Sequence, residues 1–233
     1  MAYAELRERV LDANVALGRA GLVVLTFGNA SAVDRAAGVV AIKPSGVSYD
    51  RLTPAAIPVV ELESGRVVDG DLRPSSDTPT HLVLYRAWRD VGGIVHTHSS
   101  YATGWAQAGE EIPCYGTTHA DHFDGAVPVT RTLAAAEVAG EYERATGEVV
   151  LETFGRLELE PLDRPAVLVA SHGPFTWGAS VEDAVENAVA LEEVAAVALR
   201  TRQVRGDVPA IGDDLRRRHF RRKHGSSAYY GQP

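Results

Sequence analysis

Short β-rich segments alternate with amphipathic helical segments along the chain, and this alternation constrains the fold more than any other feature of the sequence. Apolar runs bounded by Gly, Pro and Ser predict antiparallel strands, and apolar positions three or four apart predict helices. The predicted strands cover residues 39–42, 57–62, 66–68, 93–98 and 166–170. The predicted helices cover residues 3–20, 78–91, 134–146 and 180–203, and another begins at Ser100. We therefore expect an α/β protein in which helices pack on a sheet.

The composition is that of an ordinary globular protein. The 233 residues include 45% hydrophobic and 23% charged residues, and the formal net charge is −8. These values disfavour disorder, collagen and a bundle of transmembrane helices. The length fits one domain covering residues 1–233. The first ten residues include several charged residues and lack the apolar core of a signal peptide. We therefore expect a cytoplasmic protein.

Three histidines follow predicted buried strands. Because the chain has a single cysteine, Cys114, any metal site must use imidazoles and carboxylates. His96 and His98 lie two positions apart at the end of a strand, so both side chains point to one face, about 6.6 Å apart along it. With His172, they would give the three neutral imidazoles of a typical catalytic zinc site. Asp77 either adds a carboxylate or caps the following helix. Two polar side chains on a solvated strand face are the alternative for the histidine pair.

Small hydroxyl residues and glycine in two predicted turns are typical of an anion site. Lys43, Ser45 and Gly46 form the first turn, and Ser75 and Ser76 form the second. Such turns present backbone N–H groups and hydroxyls, and a helix that begins just after Ser76 adds its partial positive charge. A phosphate would suit this pocket, although an ordinary turn or a helix cap explains each segment taken alone.

A strongly basic segment lies near the C-terminus. Residues 216–223 contain six Lys and Arg and no acidic residue. Nucleic acid is one possible partner, but the thin aromatic interleaving and the acidic remainder of the chain disfavour it. The favoured interpretation of this segment is a helix that faces an anion or contacts another subunit.

Six short motifs stand in the order found in one family of enzymes. They are Gly28-Asn29-Ala30-Ser31, Lys43-Pro44-Ser45-Gly46, Ser75-Ser76-Asp77-Thr78-Pro79-Thr80-His81, His96-Thr97-His98-Ser99, Ser171-His172-Gly173-Pro174-Phe175 and Tyr229-Tyr230-Gly231-Gln232. On these motifs the chain resembles the class II aldolase/epimerase family from its first helix to its C-terminus. No motif position departs from the family pattern, and six motifs in order are far more specific than any one of them.

The resemblance implies a three-layer α/β/α fold with a central, mostly antiparallel sheet, and a homotetramer with active sites at subunit interfaces. It implies one divalent metal ion per subunit, usually zinc (Zn2+), although Mn2+ or Co2+ would also suit imidazoles. The implied ligands are His96, His98 and His172, with Asp77 beside the metal.

The resemblance also implies roles for residues outside the metal cluster. Asp121 and Tyr230 are the implied acid–base groups, and with Thr117 they would reach in from the neighbouring chain, Tyr230 by way of the tail, residues 212–233. The implied substrate and phosphate pocket consists of Asn29, Lys43, Ser45, Gly46, Ser75 and Ser76. Glu143 and His219 match secondary active-site positions.

The implied activity is epimerisation at C4 of L-ribulose 5-phosphate to D-xylulose 5-phosphate. The carbonyl at C2 makes only the hydrogens on C1 and C3 acidic, so deprotonation cannot invert C4. The C3–C4 bond must therefore break and re-form through an enediolate and glycolaldehyde phosphate, and a Lewis-acidic metal stabilises the enediolate charge. Two acid–base groups are needed, one for each face of the aldehyde.

Other activities within the family remain as alternatives. Aldolases of fuculose or rhamnulose 1-phosphate share the chemistry, but they carry Glu where this chain has Asp77 and lack the tyrosine pair. A methylthioribulose phosphate hydro-lyase is disfavoured by the C-terminal motif, and a non-catalytic scaffold domain is disfavoured by the three histidines. The sequence leaves open whether the pathway is arabinose or ascorbate degradation.

Three further histidines have open interpretations. His119 and His122 flank Asp121 and suggest either a second metal site or, the favoured interpretation, a loop that positions Asp121. His81 lies one helical turn after Asp77 and either orients it or has a plain structural role.

Overall fold

In the described part of the chain, residues 2–224 and 228–230, a computed structural model contains seven strands and eight α-helices. The strands are β1 (Asn29–Asp34), β2 (Val39–Ile42), β3 (Val59–Glu61), β4 (Val67–Asp69), β5 (Gly93–His96), β6 (Ala166–Val169) and β7 (Gly173–Gly178). The helices are α1 (Ala4–Arg19), α2 (Thr78–Ala87), α3 (Ser100–Ala108), α4 (Thr117–Ala120), α5 (Ala135–Ala139), α6 (Tyr142–Arg156), α7 (Val181–Val204) and α8 (Asp213–Lys223). Of the helices in these residues, none is both long and apolar enough to cross a membrane.

The strands form one sheet in the order β4-β3-β2-β1-β5-β7-β6, and every neighbouring pair is antiparallel. Helices α1, α3 and α7 cover one face, and α2 and α6 cover the other. Side chains alternate between the faces, since Val39 and Ala41 of β2 pack on the α1 side and Val40 packs on the α2 side. The predicted three-layer α/β/α fold with an antiparallel sheet is confirmed.

The central strand β5 positions the histidines. It lies between β1 and β7, where His96 pairs with Asn29 on one side and with Phe175 on the other. The turn from β6 to β7 carries His172 to the same end of the sheet. The start of β1, the end of β5 and the β6–β7 turn, which are distant in sequence, therefore meet at one end of the central strands.

Two sequence predictions about local structure are wrong. The helix predicted over residues 134–146 is interrupted at Gly140, where φ is −98° and ψ is −130°, and α6 then continues to Arg156. The strand predicted over residues 93–98 ends at His96, so His98 follows the strand rather than lying on it. Strands β1 and β7 also lie outside every predicted strand.

The beginning of β5 lies against the beginning of α7 with no room for side chains. A Cβ atom at Gly92 would lie 2.0 Å from the carbonyl oxygen of Ala179, and one at Gly93 would lie 2.2 Å from the Cα of Val181. Only glycine fits at these two positions. The strand that ends in His96 is thus fixed directly to the helix that follows β7.

The basic segment forms most of α8, as the sequence predicts. This helix packs against α4 and buries Phe220, while most of its arginines remain exposed. Arg216 pairs with Asp124, and Arg222 pairs with Asp121. The basic helix is therefore held to the acidic body of the same chain by buried apolar contact and by ion pairs. Gly231 and Gln232 of the C-terminal motif lie outside the described residues.

Candidate active site

Three imidazoles meet at the end of β5 and the β6–β7 turn. The ligand nitrogens of His96, His98 and His172 all lie within 4.8 Å of one another. The Nε2 atoms of His96 and His98 are 3.0 Å apart, and the ring centroid of His172 lies 4.8 Å from that of His96. The structure thus brings together the three histidines that the sequence analysis singled out.

Backbone and side-chain contacts hold two of these rings in place. The ring of His96 stacks on Phe175 at 4.2 Å, and its Nδ1 donates to the carbonyl oxygen of Pro174 at 2.9 Å. This bond leaves the lone pair of Nε2 facing His98. The hydroxyl of Tyr142 lies 3.3 Å from Nδ1 of His172. For His96, the bond to Pro174 engages the ring nitrogen that does not face His98, as is usual for metal-bound histidine.

The surroundings of His98 and His172 favour their neutral forms. Burial lowers the pKa of His172 to about 4 and also lowers the pKa of His98, and in both cases the neighbouring His96 adds to the effect. A neutral imidazole has the free lone pair that a metal ion requires. The donor set therefore fits a divalent ion of the zinc type.

Asp77 lies beside the histidines rather than serving as a helix cap. Its carboxylate accepts a hydrogen bond of 2.7 Å from Nδ2 of Asn29, and its side chain makes no capping bond to α2. Burial alone would raise the pKa of Asp77, but His96, His81 and the Asn29 bond outweigh burial and lower it. The ionised carboxylate is available to the same cavity as the imidazoles.

One cavity of about 400 Å³ contains the cluster and the predicted anion pocket. The predicted site residues that line it are Asn29, Lys43, Ser45, Gly46, Ser75, Ser76, Asp77, His96, His98, Glu143 and His172. Lys43 is almost fully buried. Its Nζ donates to the carbonyl oxygens of Thr26 and Pro44, at 3.3 and 3.4 Å, and lies 4.8 Å from the ring centroid of Tyr49, with no carboxylate partner among the described residues. Burial without a carboxylate partner lowers the pKa of Lys43 to about 8. An anionic ligand would supply the missing counter-charge.

The remaining predicted site residues form a second cluster, away from this cavity. Asp121 lies at the end of α4, one turn after Thr117, and bonds to His219 and Arg222 of α8. Asp121 and Tyr230 line a different cavity of about 520 Å³, which shares no lining residue with the histidine cavity. Within one chain, the implied acid–base groups therefore lie apart from the implied metal ligands.

The three histidines whose roles the sequence leaves open lie outside the metal cluster; they are His81, His119 and His122. His81 is fully buried, and its Nδ1 bonds to the hydroxyl of Ser31 at 2.7 Å rather than to Asp77. His119 bonds to the carbonyl oxygen of Gly125 at 2.8 Å. Among residues 2–224 and 228–230, only His96, His98 and His172 form a metal-ligating group, so the pair around Asp121 makes no second metal site.

The sequence did not predict the site positions of several residues at the two clusters. Tyr142 lines the histidine cavity and contacts His172, yet it is an ordinary aromatic residue in a helical pattern. Thr26 and Phe27 line the same cavity from an irregular loop. Arg222 was visible only as one cation in a basic run. Neither spacing nor residue type distinguished these residues from their neighbours.

Comparison with known proteins identifies the family. The family model for the Class II Aldolase and Adducin N-terminal domain matches residues 8–199. The chain belongs to this family. A curated relative, the L-ribulose-5-phosphate 4-epimerase UlaF of Salmonella paratyphi C (strain RKS4594), is 53% identical over 228 residues, which cover 98% of this chain and 99% of the relative. The UlaF epimerase of Salmonella typhi matches with the same identity and coverage.

Solved structures of the class II aldolase family share the fold. An L-fuculose 1-phosphate aldolase superimposes with a TM-score of 0.79 at 23% identity, over 95% of this chain and 97% of the aldolase. The L-fuculose-1-phosphate aldolase of Thermus thermophilus superimposes with a TM-score of 0.67 at 25% identity, over 89% and 100% of the two chains. The three-layer architecture is therefore that of the class II aldolases.

Proposed function

We propose that this chain is a metal-dependent L-ribulose-5-phosphate 4-epimerase, an isomerase that forms D-xylulose 5-phosphate. The observation that carries the proposal is the 53% identity with UlaF epimerases over nearly the full length of both chains. The histidine cavity supports it, because it combines three imidazoles and a carboxylate with two hydroxyl-rich turns. This combination suits carbon–carbon bond chemistry on a phosphorylated sugar.

His96, His98 and His172 would hold the metal, with Asp77 as a further carboxylate ligand or neighbour. When bound, the ion supplies Lewis-acid stabilisation of the negative charge that develops on the substrate oxygens. We propose zinc, since three neutral imidazoles match its usual catalytic ligand set. Metal analysis of the purified protein would test this choice against manganese and cobalt.

The hydroxyl-rich turns would anchor the phosphate. Ser45, Gly46, Ser75 and Ser76 lie around the buried Lys43, and the N-terminus of α2 begins just beyond them. Together they offer backbone and hydroxyl donors and a positive charge. Retro-aldol cleavage separates glycolaldehyde phosphate from a three-carbon enediolate, and the anchor must hold the aldehyde while it rotates by about half a turn, since release would give cleavage instead of epimerisation.

Asp121 and Tyr230 would perform the proton transfers. One group takes the proton from the C4 hydroxyl before cleavage, and the other returns a proton after the aldehyde has presented its opposite face. Their distance from the histidine cavity of their own chain supports an active site completed by a neighbouring subunit, with Thr117 from the same neighbour. We propose a homotetramer in which Glu143 and His219 support the two halves of the site.

Further parts of the proposal concern the molecule and its setting. Residues 1–233 would form one class II aldolase/epimerase domain whose tail, residues 212–233, reaches a subunit interface. We also propose a cytoplasmic location, where the activity would serve pentose catabolism, by way of arabinose or ascorbate. Light scattering of the purified protein would test the tetramer directly.

The deciding experiment follows two products at once. The metal-loaded protein is incubated with L-ribulose 5-phosphate, and D-xylulose 5-phosphate and free glycolaldehyde phosphate are measured together. We expect xylulose phosphate without accumulating aldehyde. Accumulating aldehyde would favour an aldolase, and neither product from metal-loaded protein would favour another sugar phosphate or a scaffold. A Tyr230→Phe variant should retain its metal and epimerise slowly.

A further inference from the structure

Arg222 contacts both acid–base groups of the proposed reaction. Its Nε donates to Oδ1 of Asp121 at 2.7 Å, and its Nη2 donates to Oδ2 of the same carboxylate at 2.5 Å. Its guanidinium carbon also lies 4.5 Å from the ring centroid of Tyr230. One side chain thus bridges the carboxylate of Asp121, just after α4, and a tyrosine in the C-terminal tail.

The main chain of Arg222 fixes the same tail. Its carbonyl oxygen accepts hydrogen bonds from the backbone N–H groups of Tyr229, at 2.9 Å, and Tyr230, at 3.0 Å. Both tyrosine side chains are otherwise largely exposed, at 70% and 57%. Arg222 therefore links Tyr230 to Asp121 directly, because its side chain holds the carboxylate and its carbonyl oxygen holds the backbone of the tail.

The planar guanidinium of Arg222 is better suited to these two contacts than the ammonium of a lysine. A guanidinium binds both oxygens of a carboxylate in one plane and can stack on an aromatic ring through its face at the same time. An ammonium at position 222 could make one of these contacts well but not both. The next cation, Lys223, lies 5.1 Å from the Tyr230 ring centroid and 3.5 Å from Nε2 of His122, so it does not replace the guanidinium.

We propose that Arg222 is a positioning residue that holds the Asp121 carboxylate and the Tyr230 ring in a fixed relation, so that the two groups enter the neighbouring site as a preassembled pair. The proposal rests on the epimerase function inferred above. Small displacements of a reacting group are costly because proton transfer needs hydrogen-bond distance to the substrate. Arg222 would affect the rate without touching the substrate.

The same contact also affects the charge of Asp121. Burial alone would raise the pKa of this carboxyl, but the hydrogen bonds from Arg222 and His219 outweigh burial and lower it. Other titratable groups face Asp121 across its cavity or at its backbone. They are His122, Asp183, Glu186, Lys223 and His224. Among the described residues, Arg222 alone bonds to both oxygens of Asp121, so its removal should raise the pKa of Asp121 most directly.

The test compares Arg222→Gln and Arg222→Lys with Arg221→Gln. Arg221 is the adjacent, exposed arginine of α8, so the control removes the same charge from the same helix. We expect Arg222→Gln to lower kcat by about 100-fold with little change in KM, and Arg222→Lys to restore part of it. The acid limb of kcat/KM should move to higher pH in Arg222→Gln and stay in place in Arg221→Gln. Equal kcat and equal pH profiles in the two Gln variants would overturn the proposal.

A second measurement separates this proposal from the epimerase function. The pKa of the Asp121 carboxyl, followed by 13C NMR in wild-type protein and in each variant, should rise in Arg222→Gln, rise less in Arg222→Lys and remain unchanged in Arg221→Gln. This readout does not need turnover. An inactive wild type with the expected NMR shifts would reject the epimerase function but would still support Arg222 as the residue that positions Asp121. An unchanged Asp121 pKa in Arg222→Gln would reject the positioning role of Arg222 even if the enzyme is active.

Discussion

At the scale of single residues, His98 offers the sharpest test of the metal cluster. It is the exposed member of the three, and it lies after β5 rather than within the sheet. The substitution His98→Asn should therefore leave the fold intact while removing one ligand. We expect metal affinity to fall by at least about 100-fold, more than the loss of an outer contact causes, and activity to fall with it.

Metal content per subunit after gel filtration measures this effect, and circular dichroism reports the fold. His122→Asn is the matched control, because His122 lies outside the cluster and should keep its protein fully metallated. A His98→Asn variant that is active without bound metal would contradict the ligand assignment.

Lys43 predicts a specific pH dependence. Its pKa is lowered to about 8, so in the free protein the ammonium is present below that pH and is lost above it. The charged form is the one that attracts a phosphate. Since kcat/KM reports the free enzyme, it should fall as the pH rises through about 8.

Lys43→Arg provides the control for this profile. A guanidinium stays charged throughout this range, so the variant should lose the alkaline fall even if its activity is lower. Steady-state kinetics between neutral and alkaline pH measure both proteins. A wild-type profile that stays flat well above the lysine pKa would exclude Lys43 as the anion-binding charge.

Residue chemistry was predictable from the sequence where it depended on type and order. The histidines, Asp77 and the serine turns all lie in one cavity, as their motifs suggested. Tyr142 and Arg222 were not predictable, because their roles depend on which neighbour the fold supplies. A tyrosine becomes a contact of His172, and one arginine of six cations becomes the partner of Asp121, only through tertiary packing.

At the scale of elements, the packing of α2 on α6 connects the anion turn to Glu143. Gly147 lies at this contact, where a Cβ would lie 2.8 Å from the Cβ of Val83 and 3.0 Å from the carbonyl oxygen of Thr80. Thr80 also donates to the carbonyl oxygen of Glu143 at 2.5 Å. The two helices approach closely because position 147 has no side chain.

Gly147→Ala should therefore separate the helices and lower the free energy of unfolding by about 1–3 kcal/mol, as overpacking does in other cores. Gly155→Ala is the control in the same helix, since a Cβ there has no neighbour within 4 Å. That substitution should be neutral or stabilise by up to about 1 kcal/mol. Chemical denaturation of both variants measures the difference, and equal stabilities would show that the contact tolerates a methyl group.

Elements were predictable where the hydrophobic pattern was regular. Strands β2 and β6, which are rich in Val and Ile or Leu, and the amphipathic helix α7 begin and end within a residue or two of their predicted bounds. Strand β1 was missed because Ser31 faces the core and bonds to His81 and Tyr85 instead of contributing an apolar side chain. Strand β7 was missed because Pro174 and two glycines disfavour a central strand, although the sheet accommodates them.

At the scale of the whole molecule, a metal ion would join parts of the chain that are distant in sequence. His96 and His98 come from the end of β5, and His172 comes from the β6–β7 turn. Because the unfolded chain lacks this arrangement, metal binding should stabilise the folded protein. Zinc at a free concentration about 100 times its Kd should add about 2.7 kcal/mol.

Thermal unfolding with and without a chelator measures this gain. Zinc should restore the Tm of chelator-treated wild-type protein and should raise the Tm of His98→Asn far less. A wild-type Tm that does not respond to zinc would contradict a metal site specific to the folded state.

The close approach at Gly92 and Gly93 has a consequence for motion. With β5 fixed against the start of α7, the strand cannot slide or tilt without a clash between backbones. The end of the sheet that carries His96 should therefore exchange its amide hydrogens slowly. Adjustment around a substrate should fall to the loop at residues 22–28, where Val24, Leu25 and Phe27 are exposed, and its amides should exchange fastest around the cavity.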